Sequence, residues 1–300
     1  MATLNLRQAS FRNRCVLVAV LATAFYSSLS PAAEPDYPVD QPQQEMRNEG
    51  NQPRNRPVES AAGYFKGYWL DTKDMLAAPR GWDRADWIQV SAIAAVSAGL
   101  FTQDDKIKSW VQMHKNHASS RVADDVSTMY KLSLPTLAGF GLYGLAAGDP
   151  VAKETFLLGA ESVVITAAFV QTLKRSFGRH RPYTGDSHDT WSGPVLFDHG
   201  EDLSFPSGDA STAFAIASVV AAEYDNAVVP PVVYTLSSLV ALERVHNNAH
   251  WSSDVFVGSA IGYFTGKAVV RSHAAGKDNN LSVAPLMVGK SPGVDVTLRY

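Results

Sequence analysis

Between Leu242 and Gly266 the chain reads LERVHNNAHWSSDVFVGSAIGYFTG, and three ionisable groups, Arg244, His250 and Asp254, open a segment otherwise apolar and rich in small residues. His250 and Asp254 are four apart, so on a helix they share a face. A carboxylate that accepts from one ring nitrogen fixes the tautomer and leaves the other nitrogen free as a nucleophile or base. Two further stretches carry unusual polar residues beside apolar segments. In KRSFGRHRP, Lys174 and Arg181-Pro182 bracket six residues; in SFPSGDAS, Pro206, Ser207 and Gly208 stand directly before an apolar run. A helix starting there presents unpaired backbone N–H groups and a partial positive charge, with a serine hydroxyl beside them and a glycine permitting close approach. That combination suits an anion, phosphate above all. Lys174, Arg181 and Arg244 lie at segment ends, where arginine offers planar paired donors to phosphate oxygens and lysine a point charge. Taken singly, each feature is also what a helix cap or a solvated surface residue looks like.

The elements that must position these groups are apolar, alanine-rich segments at about 86–102, 131–147, 154–176, 209–223, 229–245 and 253–271. Their lengths suit helices better than strands. Asp86, Ser207 and Ser253 are placed to cap three of them. The connection 177–206 is long and polar, the kind of loop that carries function in a compact domain. The tail alternates in VDVTLRY after the turn signal GKSPG, which predicts a small hairpin. The expected architecture is therefore all-α, a compact bundle of about six core helices in residues 63–275 with a C-terminal hairpin in 276–300. Its uncharged runs, such as Trp87–Gln103, fall short of the ~20 apolar residues a membrane span needs. A water-soluble helical domain that touches a membrane surface is favoured over a polytopic one.

Composition sets the outer bounds. The chain has 300 residues, 46% of them hydrophobic and 18% charged, with a formal net charge of -3, which gives no footing for a nucleic-acid partner. Arg7, Arg12 and Arg14, a short apolar core and SPAAE read as a removable leader over 1–33, hence a bacterial periplasm or cell exterior. Residues 34–62 read as a polar, disordered linker. Cys15 is the single cysteine and lies in the leader. Past that point the chain therefore carries no thiol or disulfide chemistry.

Taken together, the three stretches resemble the type 2 phosphatidic acid phosphatase superfamily, which includes lipid phosphate phosphatases, bacterial class A acid phosphatases and vanadium haloperoxidases. Its signature is Lys-x6-Arg-Pro, then Pro-Ser-Gly-His, then Ser-Arg-x5-His-x3-Asp. Nine of the eleven positions match in order; the exceptions are Asp209 for the second-motif histidine and Glu243 for the third-motif serine. The resemblance covers roughly residues 80–270. It implies a metal-independent phosphatase with no cofactor, acting on phosphate monoesters or diphosphates that are lipid-linked. In it His250 attacks phosphorus to form a phosphohistidine, Asp254 orients His250, and Lys174, Arg181, Ser207, Gly208 and Arg244 hold the phosphoryl oxygens. Fixed cations fit a reaction that is mainly positioning and charge stabilisation.

The second motif is where the pattern breaks. The family's histidine there protonates the leaving group, whereas an aspartate is ordinarily ionised at neutral pH. Either Asp209 is protonated when substrate binds, or another group such as His180, His199 or His246 donates, or the leaving group needs little help. The last reading favours diphosphates and anhydrides over alkyl monophosphates. Glu243 either faces away from the phosphate, since adjacent helical positions point about 100° apart, or faces inward and weakens anion binding. The alternatives are a vanadate-dependent haloperoxidase, which the missing histidine counts against, and a non-catalytic phosphate or lipid-phosphate binder, which has no need of the His250–Asp254 pair.

Overall fold

Helix starts in this chain are written in its short polar residues. The computed structural model describes residues 80–195 and 200–275, together with the backbone of 281–288 and 291–298. The expected leader and linker, and His199, lie outside the described residues. Asp83 caps α1 (Arg84–Phe101), accepting from the Ala85 and Asp86 amides while Asp86 bonds back to the cap. The cap is thus three residues earlier than expected, with Asp86 as its reciprocal partner. Asn116 caps α3 (His117–Lys131) in the same way with Ser119. Asp149 caps α5 (Pro150–Phe177), with Pro150 in the first turn where its missing N–H costs nothing. Ser207 caps α6 (Gly208–Glu223), as expected.

The six expected segments all form helices: α1, α4 (Ser133–Ala147), α5, α6, α7 (Val229–His246) and α8 (Ser252–Ala275). Two more helices, α2 (Asp104–Met113) and α3, fill what looked like a connection. Their charged residues hid them from a reading that followed apolar runs, because each buries only a narrow face: Asp104 in α2, Ala123 and Val126 in α3. The tail forms β1 (Leu281–Val288) and β2 (Ser291–Leu298), an antiparallel hairpin with Leu281 opposite Leu298.

Helix α6 is the hub, packed on α5, α7 and α8. Its buried face is Ala210, Ser211, Ala213, Ala215, Ala217, Ser218, Val219 and Ala221, small enough for neighbouring backbones to come close. On α8, Gly258, Gly262 and Gly266 recur every fourth residue, so they form one stripe. A Cβ on Gly262 would stand 2.0 Å from the Ser211 carbonyl oxygen, so α8 lies directly on the α6 main chain. Larger side chains fill the remainder: Leu158, Ile165, Val219 and Val269 form one core cluster, and Val126, Ala213 and Val240 another with Tyr130 packed against it.

Helix α5 ends at Gly178, whose φ of +60° and contact with the Gly193 carbonyl admit no side chain. The loop that follows folds back over the helix ends. Arg179 and Trp191 form an isolated bridge, and Phe177, Trp191 and Phe205 pack edge to face. The outer faces of the bundle are apolar: Ile88 on α1, Leu142 and Leu145 on α4, and Leu242 on α7 are all exposed. Among the described residues α5 is long and apolar enough to cross a membrane, and so, taken as one span bent by 58°, is the α1–α2 pair.

Candidate active site

The three motif stretches meet at one end of the bundle. Lys174 ends α5, Ser207 and Gly208 begin α6, Arg244 stands in the last turn of α7, and Asp254 in the first turn of α8. Between α7 and α8 the chain reverses through Asn248 at φ +59°, a left-handed position that asparagine tolerates. The Ala249 and His250 amides both donate to the Arg244 carbonyl, at 3.0 and 3.3 Å, which sets His250 beside Arg244. The Ser207 amide donates to the Asp254 carbonyl at 3.0 Å, tying the start of α6 to the start of α8.

The cations converge. Lys174 is buried, and its ammonium donates to the Leu203 carbonyl at 2.5 Å and the Ser204 carbonyl at 3.3 Å. Arg181 donates through Nε to the Gly200 carbonyl at 2.8 Å and through a terminal nitrogen to the Ala249 carbonyl at 3.2 Å. A Cβ on Gly208 would sit 3.9 Å from Lys174 Cε, so the open α6 N-terminus faces the lysine.

His250 is buried, and burial pushes its imidazole well below its usual pKa, with Lys174 and Arg181 adding to the shift and Asp254 opposing it. The ring is therefore neutral across the physiological range, the form that can attack an electrophile. Its Nδ1 lies 3.9 Å from Asp254 Oδ2, past hydrogen-bond reach, and has no hydrogen-bond partner. Asp254 is occupied elsewhere. Its Oδ1 accepts from Arg179 at 2.5 Å, and its Oδ2 from the Ser204 hydroxyl at 2.5 Å and the Trp251 amide at 3.1 Å. Burial raises the Asp254 carboxyl, but His250, Arg179 and Ser204 outweigh it and hold the group below its ordinary value.

Arg179 and Asp104 escaped the sequence reading. Arg179 is fully buried between two carboxylates, with Asp104 Oδ2 2.8 Å from its second terminal nitrogen. Its guanidinium lies over the rings of Phe101, Trp191 and Trp251. Asp104 also accepts from the Ser253 amide and the Ser252 and Ser253 hydroxyls, so α2 clamps the first turn of α8. Arg179 sits in plain view in KRSFGRHRP, but nothing in its spacing separates it from a surface arginine. Asp104, 75 residues from Arg179 and 148 and 149 from Ser252 and Ser253, left no local signal.

Arg244 meets Asp209 at 2.8 Å and also pairs bidentately with Glu243. Glu243 therefore faces inward, the second of its two orientations and the one that weakens anion binding. It is buried, and the Asn247 amide group bonds it as well. A long side chain turns back across the angle that separates neighbouring Cβ atoms. Burial raises the Tyr130 hydroxyl well above its ordinary range, aided by a hydrogen bond to Asp209. His180 pairs with Asp186 and Asp202, and His246 with Ser119 and Asn247. Trp251 is buried with its indole N–H on the His180 carbonyl, while Tyr183 and Trp191 reach the surface.

A bundle whose loops gather a lysine, two arginines, an open helix N-terminus and a buried neutral histidine is built to hold a tetrahedral oxyanion. Residues 156–277 match the family model of the PAP2 superfamily. That stretch contains every motif residue and supports a place in the type 2 phosphatidic acid phosphatase superfamily. A lipid A 1-phosphatase of Porphyromonas gingivalis is 29% identical over 178 residues, 58% of this chain and 36% of that protein. The chain thus spans about a third of the length of that relative. Among solved structures, Aquifex aeolicus LpxE is similar with a TM-score of 0.46 and 20% identity, covering 56% of this chain and 94% of that one. A transmembrane PAP2-type phosphatidylglycerolphosphate phosphatase from Bacillus subtilis has a TM-score of 0.43 and 14% identity, covering 71% and 96%.

Proposed function

We propose that this protein is a phosphatase that removes phosphate from lipid-linked monoesters or diphosphates by way of a phosphohistidine. The observation that carries the reading is the buried, uncharged His250 set against Lys174, Arg181 and the α6 N-terminus. In the proposed cycle Lys174, Arg181, Arg244, Ser207 and the Gly208 amide bind the phosphoryl oxygens. His250 attacks phosphorus; a nitrogen–phosphorus bond forms, and the bond from phosphorus to the leaving oxygen breaks. Water then attacks the phosphohistidine, restoring the imidazole and releasing inorganic phosphate. The cations compensate the charge of the phosphoryl oxygens in both steps, where electrostatic stabilisation contributes most.

Asp254 is proposed to steady the imidazolium character that develops in attack, with Arg179 and Ser204 fixing its carboxylate. Asp209 stands where the family places its acid, but it accepts from Arg244 and Tyr130. That arrangement supports a leaving group that needs little protonation. The exposed apolar side chains of α1, α4 and α7 support a substrate presented at a lipid surface. The relative's name, lipid A 1-phosphatase, supports the same class.

The test is phosphate release from a chromogenic aryl phosphate and from a lipid phosphate in detergent. The parent is expected to hydrolyse both, and His250→Ala to lose about a thousandfold or more in kcat. Acid-quenched parent protein should carry acid-labile, base-stable phosphate, as a phosphohistidine does. Equal rates for parent and His250→Ala would remove the assignment.

A further inference from the structure

Helix α5 contains five hydroxyl side chains, and four of them behave alike. Thr155, Ser162, Thr172 and Ser176 each donate to the carbonyl four residues back, at 2.8 Å in every case. Thr166 is the exception. It is fully buried, and its Oγ1 has no hydrogen-bond partner. A buried hydroxyl left unpaired is unfavourable, so its persistence calls for a partner that arrives from outside.

Thr166 lines a cavity of about 210 Å³ between α3, α5 and α6. Tyr130, Gln171, Asp209 and Thr212 supply the other polar walls, and Gly208 joins the cavity to the phosphate end of α6. Gln171 lies one turn before Lys174 on α5, and Thr166 lies deeper, about 12 Å from Lys174 along the helix axis. Ala167 and Gln171 are exposed, so the cavity opens sideways there. Its volume equals that of about seven waters, below the 300–1,000 Å³ of a pocket for a whole drug-sized ligand. That is room for one headgroup and not for acyl chains.

The geometry points to this cavity as the seat of the leaving group, and to a hydroxyl-rich leaving group, a sugar ring or polyol, as its occupant. The inference rests on the phosphatase reading, because Asp209 marks the leaving-group side only if His250 attacks from the other. The walls offer neutral donors and acceptors from Thr166, Gln171, Thr212 and Tyr130. Their one charge, Asp209, would repel a departing phosphate, which narrows the proposed substrates to monoesters, but accepts readily from a hydroxyl. An anomeric oxygen is also a better leaving group than an ordinary alkoxide, which suits a site whose acid position holds an aspartate. The sideways opening leaves acyl chains outside, against the apolar faces.

The experiment compares kcat/KM for a hexose 1-phosphate and for p-nitrophenyl phosphate in the parent, Thr166→Val and Ala167→Leu. Thr166→Val deletes the orphan hydroxyl at constant shape, and Ala167→Leu narrows the mouth from a position that tolerates bulk. Each is expected to lower the ratio of hexose to nitrophenyl turnover at least tenfold, and Thr166→Val to raise the melting temperature of the free protein. A ratio within twofold of the parent in both variants overturns the inference. If the parent hydrolyses neither ester, the phosphatase reading fails. Thermal shift with hexose 1-phosphate then decides the cavity. Stabilisation of the parent that Thr166→Val abolishes supports the sugar seat; equal or absent stabilisation overturns it.

Discussion

Glu243 shows how a single side chain can set the strength of an anion site. Arg244 lies between two carboxylates, Asp209 and Glu243, so much of its charge is spent before any phosphate arrives. Burial lowers the Arg244 pKa, but Glu243 and Asp209 more than restore it, a sign of how firmly they hold the guanidinium. Replacing Glu243 with serine, the residue the family carries there, should release the guanidinium. The inhibition constant for inorganic phosphate is expected to fall about tenfold, the worth of one charge-assisted hydrogen bond. An unchanged constant would mean that Arg244 does not reach the anion. Much of this site could be read from one sequence, because Lys174, Arg181, Ser207, Arg244, His250 and Asp254 announce themselves by type and spacing. The orientation of Glu243 stayed open because helical angles fix Cβ directions and not where a flexible side chain ends. Arg179, Asp104, Tyr130 and Thr166 stayed hidden because their roles depend on partners from other helices.

At the level of helices, the spacing between the proposed nucleophile and the proposed cradle is set by α8 lying on α6. Ser207 and Gly208 open one helix, Asp254 lies in the first turn of the other, and the glycine stripe brings their backbones together with no side chain between. Gly262→Ala should therefore do two things. Overpacking at the seam is expected to cost about 1–3 kcal/mol of stability, read by chemical denaturation. It should also lower kcat more than it raises KM, since a shift of α8 moves His250 relative to bound phosphate. Full stability with full activity would show that the helices have slack. The apolar helices were legible because their segments are long and uncharged. Helices α2 and α3 were not, since their charges mask a one-sided burial that only the assembled bundle reveals.

For the whole molecule, the buried His250 and Asp254 link stability to acidity. The His250 pKa is lowered on folding, so as pH falls below about 6.5 the unfolded chain takes up a proton that the folded one resists. Asp254 is also lowered, so its stabilising contribution is present above about 3.9 and drains away as pH falls further. Both act in the same direction. The melting temperature is expected to hold near neutral pH and to drop from pH 6.5 downwards, with the His250 share approaching 1.4 kcal/mol per pH unit. His250→Gln should flatten the upper part of that slope; an unaltered slope would assign it to other groups. One further consequence follows from the clamp made by Asp104. It lies in α2, more than fifty residues ahead of the stretch that matches the family, yet it supplies one of the two negative partners of Arg179. A fragment trimmed to residues 156–277 would keep every signature residue and still leave a buried guanidinium short of an anion, so dissecting this protein by homology boundaries would produce a list of motif residues without the counterweight that holds them in place.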